Sequence, residues 1–132
     1  MKTDDPVNES AKDQRPPIWV GHIEMATDKL EASKQFMLTL GMRHVFSDDG
    51  VAVLELRGGT HLVLFQKEKM TPGEVSFDLM VDDINDSYKA FAELGLSPSE
   101  ISRGNIHDSF TLIEPAGQII KINSSHVGQH PV

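Results

Sequence analysis

HIEMATDKLEASKQFMLTLGM (residues 22–42) and SFDLMVDDINDSYKAFAELGL (residues 76–96) are two copies of one pattern. At an offset of 54 residues His22 falls on Ser76, Ile23 on Phe77, Glu24 on Asp78, Met25 on Leu79, Asp28 on Asp82, Leu30 on Ile84 and Ser33 on Ser87. Leu40-Gly41-Met42 then falls on Leu94-Gly95-Leu96, with no gap. Apolarity, charge and the closing glycine all match. Self-similarity of this kind fixes an architecture before any single residue does. Two copies are too few for a solenoid, so the pattern indicates a duplicated unit.

Each copy opens with a strand, Ile18 to Thr27 and Val75 to Val81, and continues into a helix. In the first copy Asp28 is placed to cap the helix, with Glu31 as a capping-box partner. Leu30, Phe36, Met37 and Leu40 recur at helical spacing, and Gly41 suits a left-handed end. In the second copy Asp82 or Asp83 caps, Ile84, Tyr88, Phe91 and Leu94 form the stripe, and Gly95 closes it. Short strands follow: Arg43 to Ser47 and Val51 to Arg57 around Asp48-Asp49-Gly50, a type I′ hairpin signal, then His61 to Gln66 beyond Gly58-Gly59. The second copy offers a strand near Ser99 to Arg103, then His107 to Ile113 and Gln118 to Asn123 around Glu114-Pro115-Ala116-Gly117. The reading is an α+β domain of two βαβββ modules over residues 17–126: module one at 17–66, a polar linker at 67–73 and module two at 74–126. Residues 1–16, with almost no large apolar side chains, read as a flexible tail, and residues 127–132 as a second one.

The 132 residues fit one domain, and an apolar fraction of 39% suffices for a core. No apolar run reaches the roughly 18 to 20 residues of a membrane span, and the opening residues lack the apolar core of a secretory signal. The expectation is therefore a cytoplasmic protein with no membrane partner. Cysteine is absent, which excludes thiolate chemistry. A formal net charge of −8 argues against nucleic acid, whose binding requires phosphate neutralisation by Lys and Arg.

The first copy's strand and helix resemble the opening of the vicinal oxygen chelate superfamily, which includes glyoxalase I, bleomycin-resistance proteins, fosfomycin-resistance enzymes and extradiol dioxygenases. Residues 77–96 resemble the second-module opening. HDSFTLIEPAGQIIKI (residues 107–122) is similar to the closing hairpin, with Glu114-Pro115-Ala116-Gly117 in place of the usual aspartate-proline-aspartate-glycine turn. The resemblance implies curved mixed sheets around a cleft, a divalent metal on up to four inward positions, and a homodimer whose chains complete each other's clefts. The four positions correspond to His22, Val63, Ser76 and Lys121. Only His22 is a metal ligand by type. An ammonium about 4 Å from a dication costs on the order of 8 kcal/mol at an effective dielectric near 20, so the usual metal site is not expected to be intact.

A small-molecule-binding cleft is expected to include His22, Glu24, His61, Val63, Ser76, Asp78, His107 and Lys121. Strand alternation puts Glu24 and Asp78 on the same face as His22 and Ser76. His22 and Glu24 are the candidate catalytic pair, since an imidazole's ordinary pKa near 6.5 suits proton transfer at neutral pH. His22, Glu24, His61 and Asp78 form an alternative, displaced metal set. The cofactor is left open between none and a divalent ion (Zn, Ni, Fe or Mn) on that set. Two functions stand side by side: a binding module that sequesters a small ligand, and a divergent lyase or dioxygenase. A non-catalytic regulatory protein is a third. Ser124-Ser125-His126 has no strand-turn-helix elbow around it and does not read as a nucleophile.

Overall fold

The computed structural model describes residues 13–125 and 127–132. Most of the expected N-terminal tail, and His126, therefore lie outside the described residues. The first module contains β1 (His22–Thr27), α1 (Leu30–Leu40), β2 (Arg43–Ser47), β3 (Val51–Glu55) and β4 (His61–Gln66). The second contains β5 (Glu74–Val81), α2 (Ile84–Glu93), β6 (Ser109–Ile113) and β7 (Ile119–Ser124). The first sheet has the order β1-β4-β3-β2 and the second β5-β7-β6. In each, the opening strand lies parallel to the closing one, β1 on β4 and β5 on β7, while the other pairs are antiparallel. A parallel pair needs a long crossover, which the helix supplies. The duplicated topology is the one the repeat implies.

Helix α1 buries Ser33, Phe36 and Met37, one face at the i, i+3, i+4 spacing. These pack with Met25, Ala52, Leu54, Leu62 and Leu64, the inward residues of β1, β3 and β4. In the second module Phe110 is 2% exposed and takes edge contacts from Tyr88 at 5.6 Å and Phe91 at 6.1 Å, tying α2 to the sheet. Gly41 ends α1 at φ 117, and its N–H donates to the Leu38 carbonyl.

Several local expectations are corrected. Strand β1 begins at His22 rather than Ile18, leaving Ile18, Trp19 and Val20 exposed ahead of it. Asp28 does not cap α1. Thr27 Oγ1 accepts from Lys29 N and Gln66 Oε1 from Leu30 N, so neighbouring strands cap the helix. Asp83, not Asp82, caps α2, accepting from Asp86 N at 2.9 Å. The Asp48 turn is not type I′, because Gly50 takes no positive φ. Instead Asp48 Oδ1 accepts from both Gly50 N and Val51 N at 2.9 Å, a side-chain-closed turn. The strand expected near Ser99–Arg103 shrinks to one bridge between Ser102 and Ser109. Pro98 has no N–H to donate, and a Cβ at Gly104 would lie 2.6 Å from the His107 carbonyl oxygen, so the chain turns tightly there.

A buried polar chain joins the modules. Glu114, 1% exposed on the β6–β7 turn, accepts from Ser33 Oγ of α1 at 2.5 Å and from Gln118 N at 2.9 Å. Ser33 in turn shares a 2.7 Å bond with Thr27 Oγ1. Because Ser33 donates to the carboxylate, the Thr27 hydroxyl donates to Ser33. Gln118 Nε2 reaches across to the Ala26 carbonyl at 3.1 Å. On the corresponding side of the repeat an exposed pair, Arg57 with Asp82 at 2.8 Å, joins the β3–β4 turn to the start of α2.

Candidate functional site

Strand alternation gives each sheet a helix-covered face and an open face. On the first sheet the open face is built in rows by the register. His22 lies opposite His61, and His61 opposite Glu55, which faces Arg43. The next row is Glu24, Val63 and Val53, and the third is Ala26, Phe65 and Val51. One edge of this face is polar and the rest mainly apolar. The polar row is connected. The His22 and His61 rings meet edge-on with centroids 5.6 Å apart. His61 Nε2 lies 3.2 Å from Glu55 Oε2, and Arg43 Nε donates to Glu55 Oε1 at 2.9 Å, with its Nη2 also on that oxygen. The Arg43 guanidinium, and then His61, hold the Glu55 carboxyl below the usual carboxylate range. A carboxylate only accepts, so Nε2 of His61 carries the proton in the neutral ring and Nδ1 the lone pair.

On the second sheet the register between β5 and β7 breaks: Glu74 pairs with Ile119, and regular pairing resumes only at Asp78 with Lys121. Extra residues on β5 bow the strand away from its partner, a device common beside binding sites. A concavity of about 290 Å³ opens at the break, lined by Glu74, Ser76, Asp78, Ile119 and Lys121 among others. Asp78 Oδ2 accepts from Asn123 Nδ2 at 2.9 Å. Asn123 is 6% exposed, and its Oδ1 has no hydrogen-bond partner among the described residues. A buried acceptor left so costs about 1–3 kcal/mol.

The expected site residues therefore fall into two groups. His22, Glu24, His61 and Val63 share the open face of the first sheet, and Ser76, Asp78 and Lys121 share the concavity of the second. His107 is half-buried ahead of β6 and does not line that concavity. The four positions where the resemblance implies a metal carry one imidazole, a valine, a serine and a lysine. This donor set does not fit a divalent ion. The displaced set is not gathered either, since among the described residues no three His, Asp or Glu side chains converge on a common point for a metal. Asp78, on the other sheet, is already bonded to Asn123. Sequence reasoning missed Glu55 and Arg43. Hairpin pairing outward from Asp48-Asp49-Gly50 and from Gly58-Gly59 brings both beside His61, and that signal was available.

No family model matches the chain, and no curated protein matches its sequence. Solved structures do match. A lactoylglutathione lyase from Agrobacterium tumefaciens superposes with a TM-score of 0.73 at 18% identity, covering 85% of this chain and 97% of that one. A bleomycin resistance determinant encoded on transposon Tn5 gives 0.66 at 18% identity, over 83% of this chain and 100% of the other. A glyoxalase/bleomycin resistance protein/dioxygenase from Alicyclobacillus acidocaldarius gives 0.64 at 18% identity, over 86% and 96%. The chain has the glyoxalase/bleomycin-resistance/dioxygenase fold. The resemblance to vicinal oxygen chelate proteins agrees with this fold, whose members differ widely in chemistry. No helix among the described residues is long and apolar enough to cross a membrane.

Proposed function

We propose that the protein binds a small molecule on the open faces of its two sheets, without a metal at the four positions usual for the fold. The observation that carries this reading is the concavity at the β5–β7 break, where Glu74, Ser76, Asp78 and Lys121 surround about 290 Å³. Concave sites with a few convergent polar groups are where small ligands bind. Lys121 supplies an ammonium suited to a carboxylate or phosphate on the ligand, and the carboxylates beside it suit a cationic group.

The open faces also carry Phe46, Met80 and Ile113, all more than half exposed. Apolar residues on an exposed sheet face favour a symmetric dimer in which a second chain covers each face. Light scattering on the eluting protein tests this, and a strictly monomeric mass refutes it.

The test of the binding reading is a ligand screen by thermal shift, paired with metal analysis by mass spectrometry on untagged, chelator-free protein. The expected result is stabilisation by at least one small ligand, lost in Lys121→Met or Ser76→Trp, with no stoichiometric metal. Near-stoichiometric metal lost in His22→Ala would overturn the reading in favour of the divergent metal-dependent lyase or dioxygenase.

A further inference from the structure

The duplicated fold contains its own control for the polar row of the first sheet. The paired strands β3 and β4 correspond to β6 and β7, and the Glu55–His61 pair corresponds by register to Ile113–Ile119. His22 corresponds to Ser76 by the repeat. By register the same row is served in the second module by Ile113, Ile119 and, ahead of the β5 break, Glu74 rather than Ser76, so the architecture does not require His61 or Glu55 at these positions. Elsewhere the substitution runs the other way: Glu24 and Val63 correspond to Asp78 and Lys121. Among the described residues, the second module's matching row has no imidazole beside its carboxylate.

We infer that His61 is the proton acceptor of this face, positioned by Glu55, for a ligand with an apolar body and a weakly acidic hydroxyl. This rests on the small-molecule reading above and names the chemistry of the first sheet's share of the site. His61 and Glu55 are partly exposed, their side chains retaining 30% and 22% of full accessibility, so the pair is reachable from the open face. Glu55 takes the Nε2 proton and fixes the tautomer, which leaves the Nδ1 lone pair to accept. Arg43 fixes Glu55 in turn. Beyond this end the face is Val63, Val53, Phe65 and Val51, a floor for an apolar body. The charged and titratable groups around His61 are Glu55 on β3, Arg43 on β2, and His22 and Glu24 on β1. Arg43 balances Glu55. Glu24, one row away, opposes an anion, and His22 is the second imidazole able to donate to it. The step is a simple transfer: the ligand O–H bond breaks, an Nδ1–H bond forms, and the ligand oxygen is left as an anion beside an imidazolium paired with Glu55.

The probe is 4-nitrophenol, whose phenolate absorbs in the visible while the phenol does not. In neutral buffer, close to its own pKa, about half of the free dye is ionised. The expected result is that dye bound to the full chain absorbs almost wholly as phenolate, about twofold above the same amount of free dye. His61→Gln and Glu55→Leu should remove that excess while equilibrium dialysis still registers bound dye. Glu24→Gln should increase it. A second measurement guards against misfolded variants: in wild-type protein labelled with ¹⁵N-histidine, the His61 Nε2–H gives a slowly exchanging proton signal. It should be absent in Glu55→Leu of unchanged circular dichroism. Bound dye that stays phenol, or phenolate that persists in His61→Gln, overturns the inference and leaves the binding reading intact. No dye bound at millimolar concentration also overturns the inference. The binding reading then stands or falls separately, on the ligand screen and Lys121→Met.

Discussion

Ser33→Ala should cost this protein more than almost any other single-atom deletion. Ser33 is fully buried, and its hydroxyl sits between Thr27 Oγ1 at 2.7 Å and Glu114 Oε1 at 2.5 Å. Alanine removes the donor to a carboxylate and the acceptor of a threonine hydroxyl in one step. The single atom removed leaves too little room for a replacement water. A buried polar group stripped of its partner costs about 1–3 kcal/mol, with the charged one at the upper end. Two such groups give an expected loss of about 3 kcal/mol. For a chain of this size that lowers the unfolding midpoint by roughly 10 °C. Urea unfolding at constant slope is the assay, with Ser33→Ala, Glu114→Gln and the double variant forming a cycle. A coupling of about 1–2 kcal/mol is expected. Arg57→Ala is the contrast, because Arg57 and Asp82 retain 80% and 74% side-chain exposure and should be energetically near silent. If Ser33→Ala costs less than about 0.5 kcal/mol, or the cycle is additive, the buried chain does not clasp the modules together and the reasoning fails.

Gly117→Ala should destabilise by about 1–2 kcal/mol, since Gly117 holds φ 93 and its Cβ would meet Pro72 side-chain atoms at 3.0 and 3.2 Å; an unchanged midpoint in thermal unfolding would contradict the strain. Phe110→Ala removes the ring on which Tyr88 and Phe91 rest and should cost about 3–5 kcal/mol, read by denaturant unfolding. Acid should unfold the protein through its paired carboxylates. Arg43 then His61 lower Glu55, and Arg103 with the Gly104 N–H lowers Asp108. The folded state then binds fewer protons than the unfolded one, so this stability is present above the ordinary carboxylate range near pH 4 and is lost as pH falls through the lowered values. A Glu55→Gln/Asp108→Asn variant should show a shallower loss of stability below pH about 4 in stepwise acid titration by circular dichroism.

Much of the fold was legible because it is written twice. A strand of period two, a helix of period 3.6 and a terminal glycine recur at one offset, and burial of one face forces the rest. What was not legible has physical reasons. The caps of α1 come from Thr27 and Gln66, and Gln66 reaches Leu30 only once β4 lies beside β1, so no local motif announces it. Ser33 and Glu114 are 81 residues apart, and a serine on an apolar helix face gives no hint that a carboxylate will meet it. The β5–β7 register break is likewise tertiary, because Glu74 to Asp78 reads as ordinary alternation.

The two modules share an architecture and differ in the residues of their open faces. Where the first has imidazole, imidazole and carboxylate across its edge row, the second has two isoleucines and, ahead of the register break, Glu74. Where the first has Glu24 beside Val63, the second has Asp78 beside Lys121. Stability alone would favour isoleucine at all the edge positions, since apolar contact across strands stabilises a sheet and exposed ion pairs add little. Isoleucine at Ile113 and Ile119 shows that the backbone accepts it. The polar residues of the first edge support the proposed ligand contact there. Under the proposed reading, His61 would meet an acidic hydroxyl on the first face and Lys121 an anionic group on the second. On that reading neither group calls for a metal, which is consistent with a valine at 63 and a serine at 76.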